Sequence, residues 1–334
     1  MKRKEFLVNG LLLLFSIALS LVVLEQAYRF YLFGPASFSI EKMNSLYHLG
    51  LAGLTQRADH PEMIYTLKPN LDTVFKLVRF KTNSSGLRDK EYSLSKPMDT
   101  FRVAVIGDSF TVPSGVRIED AYHSLLEERL NAEETGTTYE FINFGVGGYS
   151  LKQYVAVMKH KAKDYDPDLI IVGFCPFNDH NVPKKEESAE NYREKAVAYT
   201  FYESFVLKKV KKLLRKLEKR VDPAYEKDSV FSEEQISYMA DMFSQMHAFG
   251  RSENVPIVVV YLYYRQKKEY VRKLERLVVE NGLKYMNAGL GFRNEDSREY
   301  MIFSIDSHPN AKANEMFSYE LYDYLIKERL LDRK

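Results

Sequence analysis

The chain has one cysteine, Cys175, in 334 residues. No disulfide can form within it, and a multi-cysteine metal site is excluded. It also lacks an excess of either charge. Lys and Arg number 48 and Asp and Glu 46, so the net charge of +2 gives no global signature of a nucleic-acid binder. Two glycine fingerprints are missing as well. Gly145-Val146-Gly147-Gly148 does not have the Gly-x-Gly-x-x-Gly spacing of a dinucleotide loop. No Gly-x-Ser-x-Gly elbow occurs, which weighs against the α/β-hydrolase fold. Long apolar runs are scarce, and only one approaches membrane-spanning length. What is present suits a globular core: 45% hydrophobic and 28% charged residues, in a chain long enough for one large domain or two ordinary ones.

The single long apolar run is Phe6 to Leu24, without a charge, preceded by Lys2, Arg3 and Lys4. A helix of that length crosses a bilayer. Apolar on nearly all faces and preceded by three cations, the run reads as a span rather than as a buried helix. A small-x-small pattern, Ala18-Leu19-Ser20, lies inside the run rather than after it, and Glu25 to Tyr31 continues as an interfacial aromatic segment. The run therefore reads as an uncleaved single-pass anchor, with Lys2, Arg3 and Lys4 cytoplasmic and the rest of the chain outside the inner membrane.

Residues 34–98 read as short strands and loops packing on the main domain, punctuated by Pro61, Pro69, Pro97 and Asn83-Ser84-Ser85-Gly86. Asn83-Ser84-Ser85 also fits the glycosylation pattern. From Phe101 onward, strands are predicted over 102–107, 139–144, 169–174, 256–261 and 284–286. They alternate with helices over 118–131, 150–163 and 311–330. Such alternation gives a parallel sheet with right-handed crossovers.

Residues 180–230 break this rhythm with a basic helix. Val206, Val210, Leu213, Leu214 and Leu217 form a stripe among Lys208, Lys209, Lys211, Lys212 and further cations. The expectation is a solvated cap helix whose stripe packs on the core, in an insertion that shapes the pocket. The alternative is an interfacial helix at an anionic membrane or polyanion.

The chemistry starts at Val103-Ala-Val-Ile-Gly-Asp-Ser-Phe110, a buried strand that ends at Gly107 with Ser109 just beyond. Ligands of open α/β sheets bind beyond the carboxyl ends of strands. A serine there needs a base and an orienter to act as a nucleophile. Among seven histidines, His308 follows the last strand region with Asp306 two residues before it, and i and i+2 side chains of an extended segment share a face. Gly148 and Asn178, after the second and third strands, are candidate oxyanion donors.

In this order the motifs resemble the SGNH (GDSL-type) hydrolases. Gly107-Asp108-Ser109-Phe110 is similar to the first block, Asn143 to Gly148 to the second, Phe177-Asn178-Asp179 to the third, and Asp306-Ser307-His308-Pro309 to the fifth. The resemblance covers about 100–180 and 255–330. The lead-in, with Tyr65 to Asn70 and Asn83 to Arg88, is similar to membrane-anchored bacterial members. Two positions depart from the pattern: Ile305 stands where many members carry the acid, and Pro176 replaces a glycine two residues before Asn178.

The resemblance implies an α/β fold: three α/β/α layers on a five-stranded parallel sheet in flavodoxin-like order, with the N-terminal transmembrane helix added. The organisation it implies is an anchor over 1–33, a lead-in over 34–98 and an SGNH hydrolase-like domain over 99–334. It implies Ser109 as nucleophile, His308 as base, Asp306 as orienter, and an oxyanion hole of Ser109, Gly148 and Asn178, with no cofactor and no metal. Asp108 and Asp179 shape their loops. The expected activity is extracytoplasmic hydrolysis of an acyl ester, on O-acylated carbohydrate or lipid. The alternatives are polysaccharide O-acetyl transfer on the same residues, or a catalytically silent glycan-binding or scaffold module. The expected partners are that ester and the membrane, and not nucleic acid.

Overall fold

The computed structural model describes residues 2–183, 188–194, 199–221, 230–265, 267–292 and 297–332. The chain divides into two compact units, Met1–Leu46 with Ala198–Asp228, and Tyr47–Val197 with Ser229–Lys334.

The first unit contains helices α1 (Lys2–Phe33) and α2 (Ile40–Asn44), and, from the distant segment, α5 (Phe205–Val221). α1 is long and apolar enough to cross a membrane, and its apolar window is exposed throughout. α2 is joined to the returning chain by two bonds. The Thr200 hydroxyl donates to the Met43 carbonyl, and the Phe201 N–H to Asn44 Oδ1 at 3.0 Å. Of the expected α5 stripe, Val210, Leu213 and Leu214 are exposed, as is the neighbouring Leu207, so within this unit they pack on no core. The side chains of Arg215, Lys216, Leu217, Lys219 and Arg220 lie outside the described residues.

The second unit begins with two antiparallel hairpins, β1 (Thr55–Arg57) with β2 (Tyr65–Leu67) and β3 (Asp72–Phe75) with β4 (Val78–Lys81). The order then continues β5 (Thr100–Gly107), α3 (Tyr122–Asn131), β6 (Thr138–Asn143), α4 (Leu151–His160), β7 (Leu169–Phe174), α6 (Glu233–Ser252), β8 (Ile257–Tyr261), α7 (Lys268–Glu280) and β9 (Lys284–Asn287). A hairpin, β10 (Met301–Phe303) with β11 (Asp306–Pro309), precedes α8 (Ala311–Lys327).

Strands β5 to β9 form one five-stranded sheet in the order β6-β5-β7-β8-β9, every pair parallel. Counted along the core this is 2-1-3-4-5, the flavodoxin-like order. Every residue of β5, β7 and β8 is buried, as the continuous β-branched runs require when helices cover both faces. α3 packs with α8, α4 with α6, and α6 with α7, giving a helical layer on each face. The order reverses between β5 and β7, and the crevice outside the carboxyl ends of those two strands is where such a sheet receives a ligand.

Local chemistry fixes the turns that feed this crevice. A Cβ on Gly107 would stand 2.1 Å from Thr111 Oγ1, so only glycine lets the chain after Ser109 fold back over the strand end. Ser150 and Gln153 form a capping box that starts α4, and Asn310 Oδ1 accepts from the Ala313 N–H at 3.0 Å to start α8. Asn83 is buried, with its oxygen accepting from Ser85 and Leu87 and its amide donating to the Lys90 carbonyl at 2.8 Å. The Asn83-Ser84-Ser85 pattern thus shapes a turn, and its amide is not available to a glycan.

Candidate active site

Ser109 lies two residues beyond the end of β5, Gly148 in the loop after β6, and Asn178 in the loop after β7. Asp306 and His308 lie on β11, where residues two apart face the same side. The pairing of β11 with β10 supplies the extended geometry that a free loop would not hold. Tyr264 Oη braces the strand by donating to the Ser307 carbonyl at 2.8 Å.

These elements bring three side chains into one hydrogen-bonded row. His308 Nε2 is 2.9 Å from Ser109 Oγ, and His308 Nδ1 is 2.5 Å from Asp306 Oδ1. Asp306 also accepts the His308 backbone N–H at 3.2 Å. Ile305, in the position that departs from the family pattern, is exposed.

The row has a fourth member that no sequence signal marked. Lys76 Nζ donates to Asp306 Oδ2 at 2.7 Å and lies 3.2 Å from His308 Nδ1. Its side chain is only 4% exposed. Lys76 sits at the tip of the β3–β4 hairpin, in a two-residue turn with φ of +47° at Lys76 and +70° at Leu77. Positive φ at both central residues belongs to a type I′ turn, normally made by Asn or Gly. A lysine and a leucine are strained there, and the turn aims the lysine inward.

Burial opposes ionisation of Asp306, but the hydrogen bond from His308 and the Lys76 ammonium outweigh it and hold the carboxyl well below the usual range. Burial pulls the Lys76 ammonium below its usual value, and Asp306 acts against that pull. Asp306 is therefore a carboxylate shared by an imidazole and an ammonium.

Around Ser109, two backbone N–H groups are unspent: among the described residues, neither that of Ser109 nor that of Gly148 donates to a protein acceptor. Gly148 has φ of +85°, which favours glycine. A Cβ there would also stand 2.9 Å from Tyr65 Oη. Tyr65 comes from the lead-in, and its hydroxyl donates to the Gly147 carbonyl at 3.1 Å, holding this loop. Asn178 Nδ2 donates to the Tyr149 carbonyl at 2.5 Å.

Asp108 accepts from the Phe110 N–H at 2.9 Å, and its Oδ2 lies 3.3 Å from Ser109 Oγ. Asp179 accepts from the Cys175 N–H at 2.7 Å and from Tyr154 Oη at 2.9 Å. Burial pushes both carboxyls up. Each binds backbone of its own loop. A wall of rings adjoins the row: Phe110 lies 5.6 Å from His308 and 6.0 Å from Phe177, and Phe177 lies 4.9 Å from Tyr263, centroid to centroid. Phe177 is half exposed and offers a flat apolar face.

Among the described residues, one cluster offers three metal-type donors: His60, Glu62 and His160. The two imidazoles stack face to face, 3.4 Å between centroids and 14° apart, and His160 Nε2 pairs with Glu62 Oε2 at 2.9 Å. Parallel rings direct their in-plane lone pairs into separate planes, so a single ion does not meet both. These residues form a cross-element clip between the lead-in and α4.

No family model matches the chain, and no curated protein matches it. Solved structures do. It is similar to the psychrotrophic esterase EstA from Pseudoalteromonas sp., at 15% identity and a TM-score of 0.43, over 69% of this chain and 99% of that one. It is similar to a member of the lipolytic protein G-D-S-L family from Veillonella parvula, at 11% identity and a TM-score of 0.41, over 68% and 99%. It is also similar to a two-domain esterase active on acetylated mannans, at 15% identity and a TM-score of 0.43, over 68% and 49%. In this chain the five-stranded parallel sheet in the order 2-1-3-4-5 places Ser109, Gly148 and Asn178 in the loops after its first three strands, with Asp306 and His308 on the separate hairpin strand β11.

Proposed function

We propose that the protein is a serine esterase held by α1 in a membrane, with its catalytic unit outside the cytoplasm, cleaving acyl esters of carbohydrate or lipid. The observation that carries this reading is the unbroken row from Ser109 Oγ through His308 to Asp306. His308 Nε2 takes the hydroxyl proton as Ser109 Oγ attacks the ester carbonyl. The Asp306 carboxylate fixes Nδ1–H and steadies the imidazolium. The oxyanion is met by the N–H groups of Ser109 and Gly148, with the Asn178 amide turning one N–H toward it. His308 returns its proton to the departing alcohol. Water, activated the same way, then releases the acid from Ser109. The exposed Phe177 face beside the row suits a sugar ring or an acyl chain.

A fluorophosphonate probe tests this on the detergent-solubilised full chain. Wild type is expected to be labelled on Ser109, and Ser109→Ala to be spared. An unlabelled wild type with no turnover of acetyl esters would favour the silent binding module.

Lys76 acts through Asp306 as a positioning residue. Lys76→Met keeps the packing volume but frees Oδ2, so Asp306 can turn and the imidazole with it. A misplacement of that size costs on the order of a hundredfold. The loss is expected in kcat for p-nitrophenyl acetate, with KM little changed. Unchanged kcat would mean that Lys76 serves the hairpin and not the row.

A further inference from the structure

We propose that α5 lies in the surface of the same bilayer that α1 crosses, its apolar stripe among the acyl chains and its lysines among anionic lipid phosphates. This rests on the reading of α1 as a membrane anchor and goes beyond the esterase site.

The depth of α5 is set by α1. Glu25 is the first charge after the uncharged run Phe6 to Leu24, so it marks where that run leaves the hydrocarbon. Its carboxylate accepts the N–H of Phe205 at 2.9 Å, the N–H of Val206 at 3.1 Å and the Ser204 hydroxyl at 2.7 Å. Arg29 closes the clip, 2.8 Å from Glu25 Oε1 and 2.8 Å from the Glu203 carbonyl. The Phe33 ring meets Phe205 edge to face at 5.2 Å. The start of α5 is thereby tied to the turn of α1 that emerges from the membrane.

The faces of α5 then match an interface. At 100° per residue, Val206, Leu207, Val210, Leu213 and Leu214 fall within an arc of about 120°. Leu207, Val210, Leu213 and Leu214 are between 44% and 59% exposed, so the first unit leaves the stripe uncovered. Lys208, Lys209, Lys211 and Lys212 occupy the rest of the circumference, and α5 carries eight basic residues and one acidic. A helix so charged cannot span, but one apolar face between basic flanks is the pattern of a helix lying in the headgroup layer. Exposed rings in the same unit, Phe30, Tyr31 and Phe38 with Tyr199 and Tyr202 from the returning chain, supply the aromatic belt of that layer.

The test uses the full chain in phosphatidylethanolamine–phosphatidylglycerol vesicles, with an environment-sensitive fluorophore on single added cysteines. Cys175 is buried and is replaced by serine in all variants. Leu213→Cys probes the stripe, Lys212→Cys the basic face, and Leu14→Cys the anchor. A blue shift and loss of iodide quenching are expected at 213 and 14 but not at 212. Vesicles of phosphatidylcholine alone, or Lys→Gln at 208, 209, 211 and 212, should weaken protection at 213 and leave 14 protected. Equal iodide access at 213 and 212 with 14 protected would overturn the interfacial helix and leave the anchor standing. Access at 14 would remove the anchor and the proposal together. Protection at 213 that requires an added soluble polyanion such as dextran sulfate would assign α5 to that ligand instead.

Discussion

His308→Ala is expected to lower kcat on a soluble aryl ester by about six orders of magnitude, and Asp306→Asn by about four, which are the losses that removing a base and mis-orienting one produce in serine hydrolases. The two differ because the roles differ. Without an imidazole 2.9 Å from Ser109 Oγ, nothing at the site takes the hydroxyl proton. With asparagine at 306 the imidazole remains, but an amide can offer N–H to Nδ1 and hold the wrong tautomer. Here the asparagine variant has a second cost. Lys76 is 4% exposed and its ammonium is paired with Asp306 Oδ2 at 2.7 Å. Taking the charge from one partner of such a buried pair leaves the other uncompensated, at about 3–5 kcal/mol. Asp306→Asn should therefore also melt earlier in detergent, and adding Lys76→Met should restore most of the melting temperature but none of the turnover. A tenfold or smaller loss in kcat for Asp306→Asn would dismiss Asp306 as orienter. An unchanged melt would dismiss Lys76 as its buried counter-charge.

That double-variant effect was not legible in the sequence, and the reason is physical. The strands of the sheet announce themselves locally: 103–106 of β5, 169–172 of β7 and 257–260 of β8 are continuous apolar runs rich in Val and Ile, the pattern of strands buried on both faces. Ser109 is legible because a glycine-ended buried strand has a defined carboxyl end. Asp306 and His308 are legible because an i, i+2 pair shares a face in extended chain, and β11 is extended. Lys76 carries no such signal. A lysine at a hairpin tip is expected in water, and the positive φ at Lys76 and Leu77 lacks the Asn or Gly that would have marked the turn. Its partner is 230 residues away. The stripe of α5 illustrates the converse. Its periodicity was plain, but periodicity says only that a face is apolar, not what covers it, and the clip to Glu25 that changes the reading joins segments some 180 residues apart.

Arg88 is the other buried cation that the sequence hid within a turn motif, and its loss should be felt in stability first. Arg88 is 1% exposed. Nη1 donates to the carbonyls of Val112 and Pro113 at 2.7 and 2.6 Å, Nη2 to that of Val116 at 2.7 Å, and the group lies over the Phe80 ring at 4.6 Å. These carbonyls belong to the loop that leaves Ser109, whose own carbonyl accepts the Ser114 N–H at 3.0 Å. Arg88→Met orphans two buried acceptors, the carbonyls of Val112 and Val116, each worth about 1–3 kcal/mol, while the Pro113 carbonyl keeps the Val116 N–H at 3.1 Å. It also removes the cost of burying a guanidinium, which offsets part of that loss. A net destabilisation of about 3 kcal/mol is expected, which for a unit of this size lowers the melting temperature by about 6–12 °C. At temperatures where the variant is still folded, kcat should fall by about a hundredfold as Ser109 loses its support. Arg88→Lys should recover little of either, because one ammonium does not reproduce a planar fork spanning three carbonyls. If Arg88→Lys melts with wild type, the fork is dispensable and simple charge or volume holds the loop. If Arg88→Met melts with wild type, the loop after Ser109 is held by its own turns, and the lead-in contributes Lys76 to the site but not its scaffold.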